Sequence, residues 1–351
     1  MRHLLLIPLL APALAAQSQT FVSPHSHYAT WEGDLSLPIP FSLPTTNTPY
    51  RLQQIDAGQT GAVRVLAKLS FRRNASSPHL GLAANKTITM KLVLADAVAL
   101  AGATATFAAN YAAAGATVFS GPLSTPPQWL TTTSKSPSDF DFTIPFTAAW
   151  PYLGTQPFLW DVDVSAVSTT ERSTLDAASS GFPLFAYSAY EMYGKSCKVG
   201  TGPMELRSYG QTLGAPMQAI TWGIDTTNAP ANAAAVWLIG AQKVAQPIPG
   251  LCTDLYTLPL VSISGTTDAA GAWKTYFQTP QNPSYFGFPL PMQTVVADPA
   301  QGPLPFSASN GLVYRAAPMG PTFQAGYVYA ATGQAAGSSF LTGRALVVQF
   351  N

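Results

Sequence analysis

Apolar and polar side chains alternate with a period of two through much of this chain. Residues 63–71 (VRVLAKLSF) put Val63, Val65, Ala67, Leu69 and Phe71 on one side. Residues 87–94 (TITMKLVL) do the same with Ile88, Met90, Leu92 and Leu94. Residues 158–166 (FLWDVDVSA) align Phe158, Trp160, Val162, Val164 and Ala166. Successive side chains of a strand point to opposite faces, so this repeat predicts half-buried strands. Ala235 to Ile239 is an unbroken apolar run and suits a strand covered on both faces. Asp268 to Gly271 reads as a turn between strands near 256–264 and 272–278. Tyr327 to Ala331 and Ala345 to Phe350 are expected to close the chain as a hairpin.

One stretch resists this reading. Residues 95–116 hold 12 alanines in 22 positions, and alanine favours helix. Gly102 and Gly115 interrupt it, however, and it has neither a capping box nor charge pairs four residues apart. It is read as strand and loop. Short strands separated by frequent Pro and Gly describe an all-β protein.

The first 16 residues follow a different rule. Arg2 and His3 precede an apolar run, Leu4 to Leu14, too short for the roughly 20 residues that span a bilayer. Ala13-Leu14-Ala15 supplies small residues around a cleavage point after Ala15 or Ala16. This is the pattern of a signal peptide, and it predicts a secreted or cell-surface protein without a transmembrane segment.

Composition narrows the class further. Charged residues are 9% of the 351, against about 25% in ordinary soluble domains. That scarcity argues against coiled coils. A net charge of +1 argues against nucleic-acid partners. The length left after the leader suits two domains. The expectation is two β-sandwiches in tandem, jelly-roll or Ig-like, over 17–190 and 191–351, joined near Tyr187 to Gly194. Cys197 and Cys252 are the only cysteines. In an exported chain an even count predicts a disulfide, placed here within the C-terminal domain.

Short motifs carry a resemblance across most of the chain. In the N-terminal half they are His27-Tyr28-Ala29 with Glu32-Gly33, Tyr50-Arg51 with Gln53-Gln54, LSFRRN at 69–74 and TFAANY at 106–111. VFSGPL at 118–123, FDFTIPF at 140–146 and LWDVDV at 159–164 follow. The C-terminal half adds GAPM at 214–217, NAPANAAAVWLIG at 228–240, PIPGLCTDL at 247–255, LPL at 258–260 and SASNGL at 307–312. In these the chain is similar to uncharacterised secreted proteins of planctomycete-type bacteria, a group without an assigned activity. The resemblance implies export and a two-module β architecture, and it assigns no catalytic residue.

Candidate chemistry is sparse. The chain has four histidines and no G-x-S-x-G, H-E-x-x-H, C-x-x-C or EF-hand loop. His25 and His27, with Glu32 and Asp34 behind them, are donors that would suit zinc, copper or nickel. Asp161 and Asp163 project from one strand face. They would suit calcium or paired carboxylates in glycoside hydrolysis, or would simply be solvated and paired with Arg72 or Arg73. Aromatic residues cluster at Phe185, Tyr187, Tyr190 and Tyr193, and again at Pro283, Tyr285, Phe286 and Phe288. Such clusters either pack or form a face that stacks on sugars. Asn74 and Asn85 head short glycosylation sequons.

Two functions follow. The favoured one is a non-catalytic extracellular or cell-surface binding or structural protein, engaging a neutral glycan or an envelope protein and self-associating weakly. It requires no cofactor, though calcium is compatible with it. The alternative is a secreted carboxylate-dependent hydrolase using Asp161 and Asp163.

Overall fold

The computed structural model describes residues 20–25, 31–41, 49–75, 82–131, 133–180, 189–200, 202–210, 219–280, 282–316 and 322–351. The predicted leader, residues 1–16, lies outside them. Among the described residues the secondary structure is antiparallel β, and the helices are 3-10 turns of three or four residues. None is long and apolar enough to cross a membrane. The all-β, sandwich-type expectation holds.

A six-stranded sheet runs in the order Leu341–Thr342, Ala325–Ala331, Tyr50–Asp56, Phe158–Val167, Thr87–Asp96, Ala116–Ser124. It packs on a four-stranded sheet ordered Phe21–Ser23, Val348–Phe350, Arg64–Phe71, Phe142–Tyr152. A smaller sheet of Leu35–Leu37, Leu175–Ser179 and Arg344–Leu346 extends that layer. Ile88, Met90, Leu92 and Leu94 face Leu66, Leu69, Phe71 and Phe142 in one core. Trp160 and Phe71 meet edge to face across it, with ring centres 5.7 Å apart.

The second sandwich packs two further sheets. One is ordered Asp254–Thr266, Ala234–Pro247, Pro289–Ala297, Gly311–Arg315, Ala189–Tyr193, Lys135–Ser136. The other is ordered Glu205–Gly210, Ala219–Thr227, Trp273–Pro280. Trp222, Ile224, Trp237, Met292, Leu312 and Tyr314 fill the space between them. Cys197 and Cys252 are bonded, with α-carbons 5.3 Å apart. The bond fixes the loop between the two longest strands.

Strand pairing departs from the tandem division at 190/191. Ala325–Ala331 pairs with Tyr50–Asp56, and Val348–Phe350 inserts between Phe21–Ser23 and Arg64–Phe71. The last strands therefore complete the first sandwich, and residues 189–316 are an excursion from it. Lys135–Ser136, from the first half, edges the second sandwich. The predicted closing hairpin is corrected too. Its two halves belong to different sheets, and the 327–331 segment pairs with a strand nearly 300 residues upstream. Nothing local in the sequence signals such a pairing.

Three strands refine the periodic reading. In Arg64–Phe71 a bulge between Leu66 and Lys68 reverses the phase. Leu66, Leu69 and Phe71 are buried, while Val63 and Val65 are exposed. An extra residue on one strand moves every side chain beyond it to the other face. Ala235, Trp237 and Ile239 are buried, but Val236 and Leu238 are half-exposed, so that strand is covered fully on one face only. Thr87–Asp96 keeps the expected phase throughout.

The alanine-rich stretch forms no α-helix. It leaves the strand at Asp96, makes 3-10 turns at Leu100–Gly102 and Phe107–Asn110, and re-enters the sheet at Ala116. Asp268 makes the predicted turn, its Oδ1 accepting from Ala270 N–H at 2.9 Å and Ala272 N–H at 2.8 Å. Gly271 sits there at φ 72°, where an added Cβ would lie 1.9 Å from Ala229 O. The turn carries the chain from one sheet to the other.

Candidate functional site

Asp161 and Asp163 do share a face. Strand Phe158–Val167 turns Trp160, Val162 and Val164 into the core and both carboxylates away from it. The alanine-rich excursion folds back over that outer face, where Leu100 and Tyr111 cover Ile55, Ala95 and Leu159. Asp161 is buried beneath it. Its Oδ1 accepts from Arg51 Nε at 3.0 Å, and its Oδ2 from Arg51 Nη2 at 2.7 Å. Gln53 Nε2 at 2.9 Å and Tyr111 Oη at 2.6 Å also donate to Oδ2. Gln53 Oε1 accepts in turn from Asn110 Nδ2 at 2.8 Å. The Arg51 guanidinium lies 4.4 Å from the Phe107 ring centre. Burial, with the adjoining Asp161 carboxylate, pushes the Tyr111 phenol up, so it stays a donor.

The two aspartates thus differ in role. Asp163 sits between Arg51 and Lys91 in register and accepts from Thr332 Oγ1 at 3.1 Å. Asp161 ties the excursion to the sheet through Arg51, not through Arg72 or Arg73. A calcium ion at Asp161 would have to displace a bidentate guanidinium. A hydrolytic carboxylate there would have to give up four hydrogen bonds. A cleft of about 610 Å³ opens beside this network, with Arg51, Lys91, Thr106 and Tyr111 on its wall.

Of the predicted histidine cluster, His25, Glu32 and Asp34 are among the described residues. The backbone N–H of His25 donates to Asp56 Oδ2 at 2.8 Å, and His27 lies outside the described residues. Glu32 and Asp34 turn elsewhere. Glu32 is buried and accepts from Ala75 N–H at 2.6 Å and Ser136 Oγ at 3.1 Å. Asp34 accepts from Ser179 N–H at 2.5 Å. Beside Glu32, buried Arg72 donates from Nε to Asp176 Oδ2 at 2.7 Å, and Gly33 N–H donates to Asp176 Oδ1 at 2.9 Å. Burial, reinforced by the Asp176 charge and opposed by Arg72, pushes the Glu32 carboxyl up to about 8. Glu32 therefore holds its proton to a higher pH than an ordinary carboxyl does. Among the described residues no group of three or more His, Cys, Asp or Glu is arranged to hold a metal.

The aromatic clusters separate into packing and surface. Phe185 and Tyr187 lie outside the described residues. Tyr190 is in the second core. Tyr193 donates to Tyr256 O at 2.7 Å and lies under Lys243 Nζ, 4.0 Å from its ring centre. Phe286 packs on the core, whereas Tyr285 and Phe288 are exposed.

Among the described residues the most exposed aromatic is one the sequence reading missed, Tyr276, at 59%. It stands on the outward face of Trp273–Pro280, opposite Gly223. Gln278, paired with Thr221, lies on one side of it, with Nε2 to Oγ1 3.2 Å. The Lys274–Asp225 ion pair lies on the other, at 3.3 Å. The only advance signal was the alternation of Tyr276 with the core residues Trp273 and Phe277 and the half-buried Thr275. A phenol ring between an amide and an ion pair offers a stacking surface with donors and acceptors on both sides.

Of the sequon asparagines, Asn85 is exposed. Asn74 is buried and donates to Leu35 O at 2.8 Å.

Comparison with protein-family models finds no match, and comparisons with curated proteins and with solved structures find none either. What fold and surface define is an all-β, disulfide-bonded protein of sandwich type. Residues far apart in the chain come together in two buried networks. Arg51, Gln53, Asn110, Tyr111 and Asp161 meet in one buried network, while Gly33 and Arg72 meet on Asp176 in the other.

Proposed function

We propose that this is an exported, non-catalytic binding or structural protein of the extracellular space or cell surface. It engages a neutral glycan or an envelope protein through the face around Tyr276, where the charges of Lys274 and Asp225 are paired. The observation that carries the reading is the exposed Tyr276 ring, set in a strand face of Thr221, Gln278, Lys274 and Asp225. Aromatic rings stack on the apolar faces of sugars, and amides and paired charges bind hydroxyls without requiring an anion. The hydrolase alternative loses its support, because Asp161 is spent on Arg51, Gln53 and Tyr111.

A glycan array with the purified mature protein, run with and without calcium, tests this. Binding should be calcium-independent. Tyr276→Ala should weaken it by about tenfold, equivalent to about 1.4 kcal/mol. Binding that requires calcium, or that ignores the loss of Tyr276, would overturn the assignment of this face.

A further inference from the structure

We propose that two copies of this chain associate through the free edge of strand Asp254–Thr266, pairing it with itself around a two-fold axis. The association does not depend on the glycan reading. Among the described residues Asp254–Thr266 is the outermost strand of its sheet, bonded on one side to Ala234–Pro247. Its register from Val261 to Thr266 is one-to-one, so six residues are straight and unbulged. Thr267 N–H donates to Ala233 O at 3.0 Å, which fixes the phase of the ladder. Odd-numbered residues direct their backbone groups at the neighbouring strand. Ser262, Ser264 and Thr266 therefore direct N–H and C=O outwards, as alternate residues of an antiparallel ladder do.

Natural edges are usually guarded by lysines, inward charges or bulges. From Leu255 to Thr266 this strand has no charged residue, and its single proline, Pro259, stands just before the straight segment. Leu260 is 74% exposed and Val261 56%. The occupant is argued from this lack of charge and from self-complementarity. An antiparallel dyad at Ile263 places Ser262 opposite the partner copy's Ser264 and Val261 opposite its Gly265. No like charges meet, and neither pair sets two bulky side chains against each other. A single strand pair buries less than the roughly 1,200 Å² of a stable interface, so the dimer is weak and forms at high concentration.

Sedimentation velocity over a concentration series tests it. The sedimentation coefficient of the wild type should rise towards that of a dimer, equally at low and high salt. Ser262→Lys puts a charge beside the dyad, and Ser264→Pro removes an outward N–H. Both should remain monomeric with unchanged far-UV spectra. Ser120→Lys, on the exposed edge strand of the six-stranded sheet, should still dimerise. If either edge variant misfolds, Ile263→Cys decides. The dyad brings its two α-carbons to about 4.5 Å, within disulfide reach, so air oxidation should give a covalent dimer. A wild type that is monomeric at every concentration, or dimers that survive Ser262→Lys in a folded chain, would overturn the proposal.

Discussion

At the scale of residues, the chain buries charge only where it is answered. Asp161 is 2% exposed and its partner Arg51 25%. Breaking a fully buried pair costs about 3–5 kcal/mol, because the surviving charge is stranded. With Arg51 partly wet, Asp161→Ala should cost about 2–3 kcal/mol, read as a lower urea midpoint, and should loosen the excursion around Tyr111. A variant as stable as the wild type would show that Asp161 does not hold this region.

Glu32 gives a pH signature. The folded protein holds a proton that an ordinary carboxyl near 4.5 has released, up to about 8. Between those values the folded state binds more protons than the unfolded one, so this group's contribution to stability falls as pH rises. Below 4.5 it is fully present, and above about 8 it is lost. Unfolding midpoints of the wild type should therefore decline relative to Glu32→Gln from pH 5 to pH 9, and parallel curves would refute this. The shared face of Asp161 and Asp163 was legible because strand alternation is local. Their partners were not, since Arg51 lies 110 residues from Asp161 and Glu32 lies 104 from Ser136.

Among elements, the strands were legible and their phase less so. Thr87–Asp96 buries the residues that alternation selects, and Phe158–Val167 buries Phe158, Trp160, Val162 and Val164 but leaves Ala166 exposed beyond a register shift. Arg64–Phe71 does not, because alternation holds no record of a bulge that the partner strand imposes. The consequence is measurable. Leu66→Ala should cost about 3 kcal/mol, the usual price of a large core truncation. Val65→Ser, at a 40% exposed position, should stay within about 0.5 kcal/mol of the wild type. An unbulged strand would give the opposite order in chemical unfolding. The alanine-rich stretch followed its glycines and lack of charge pairs rather than alanine's helical preference, and it is held by Gln53, Asn110 and Tyr111.

For the whole molecule, composition and cysteine count anticipated the all-β class and the Cys197–Cys252 bond. Closing a loop of 55 residues stabilises by about 4 kcal/mol in the chain-entropy treatment. The return of the last strands was invisible, because it is a long-range pairing with no local pattern. It predicts that the first sandwich needs the C-terminus. A chain ending at residue 321 should lose the cooperative unfolding of the first sandwich, since strands Ala325–Ala331 and Val348–Phe350 each sit between two others. A truncated protein that melts like the full chain would contradict this.

The same scale holds the functional claim. With 9% charged residues and a net charge of +1, the surface has little long-range electrostatic steering. Contacts through Tyr276 and backbone or amide groups should therefore be indifferent to ionic strength, unlike contacts made through phosphates or anionic lipid. The most direct measurement is retention of envelope material by the immobilised mature protein, at low and at high salt, with Tyr276→Ala alongside. Retention that is equal at both salt concentrations and reduced by the substitution is the predicted result. Retention lost on raising the salt, or no retention at all, would contradict the account.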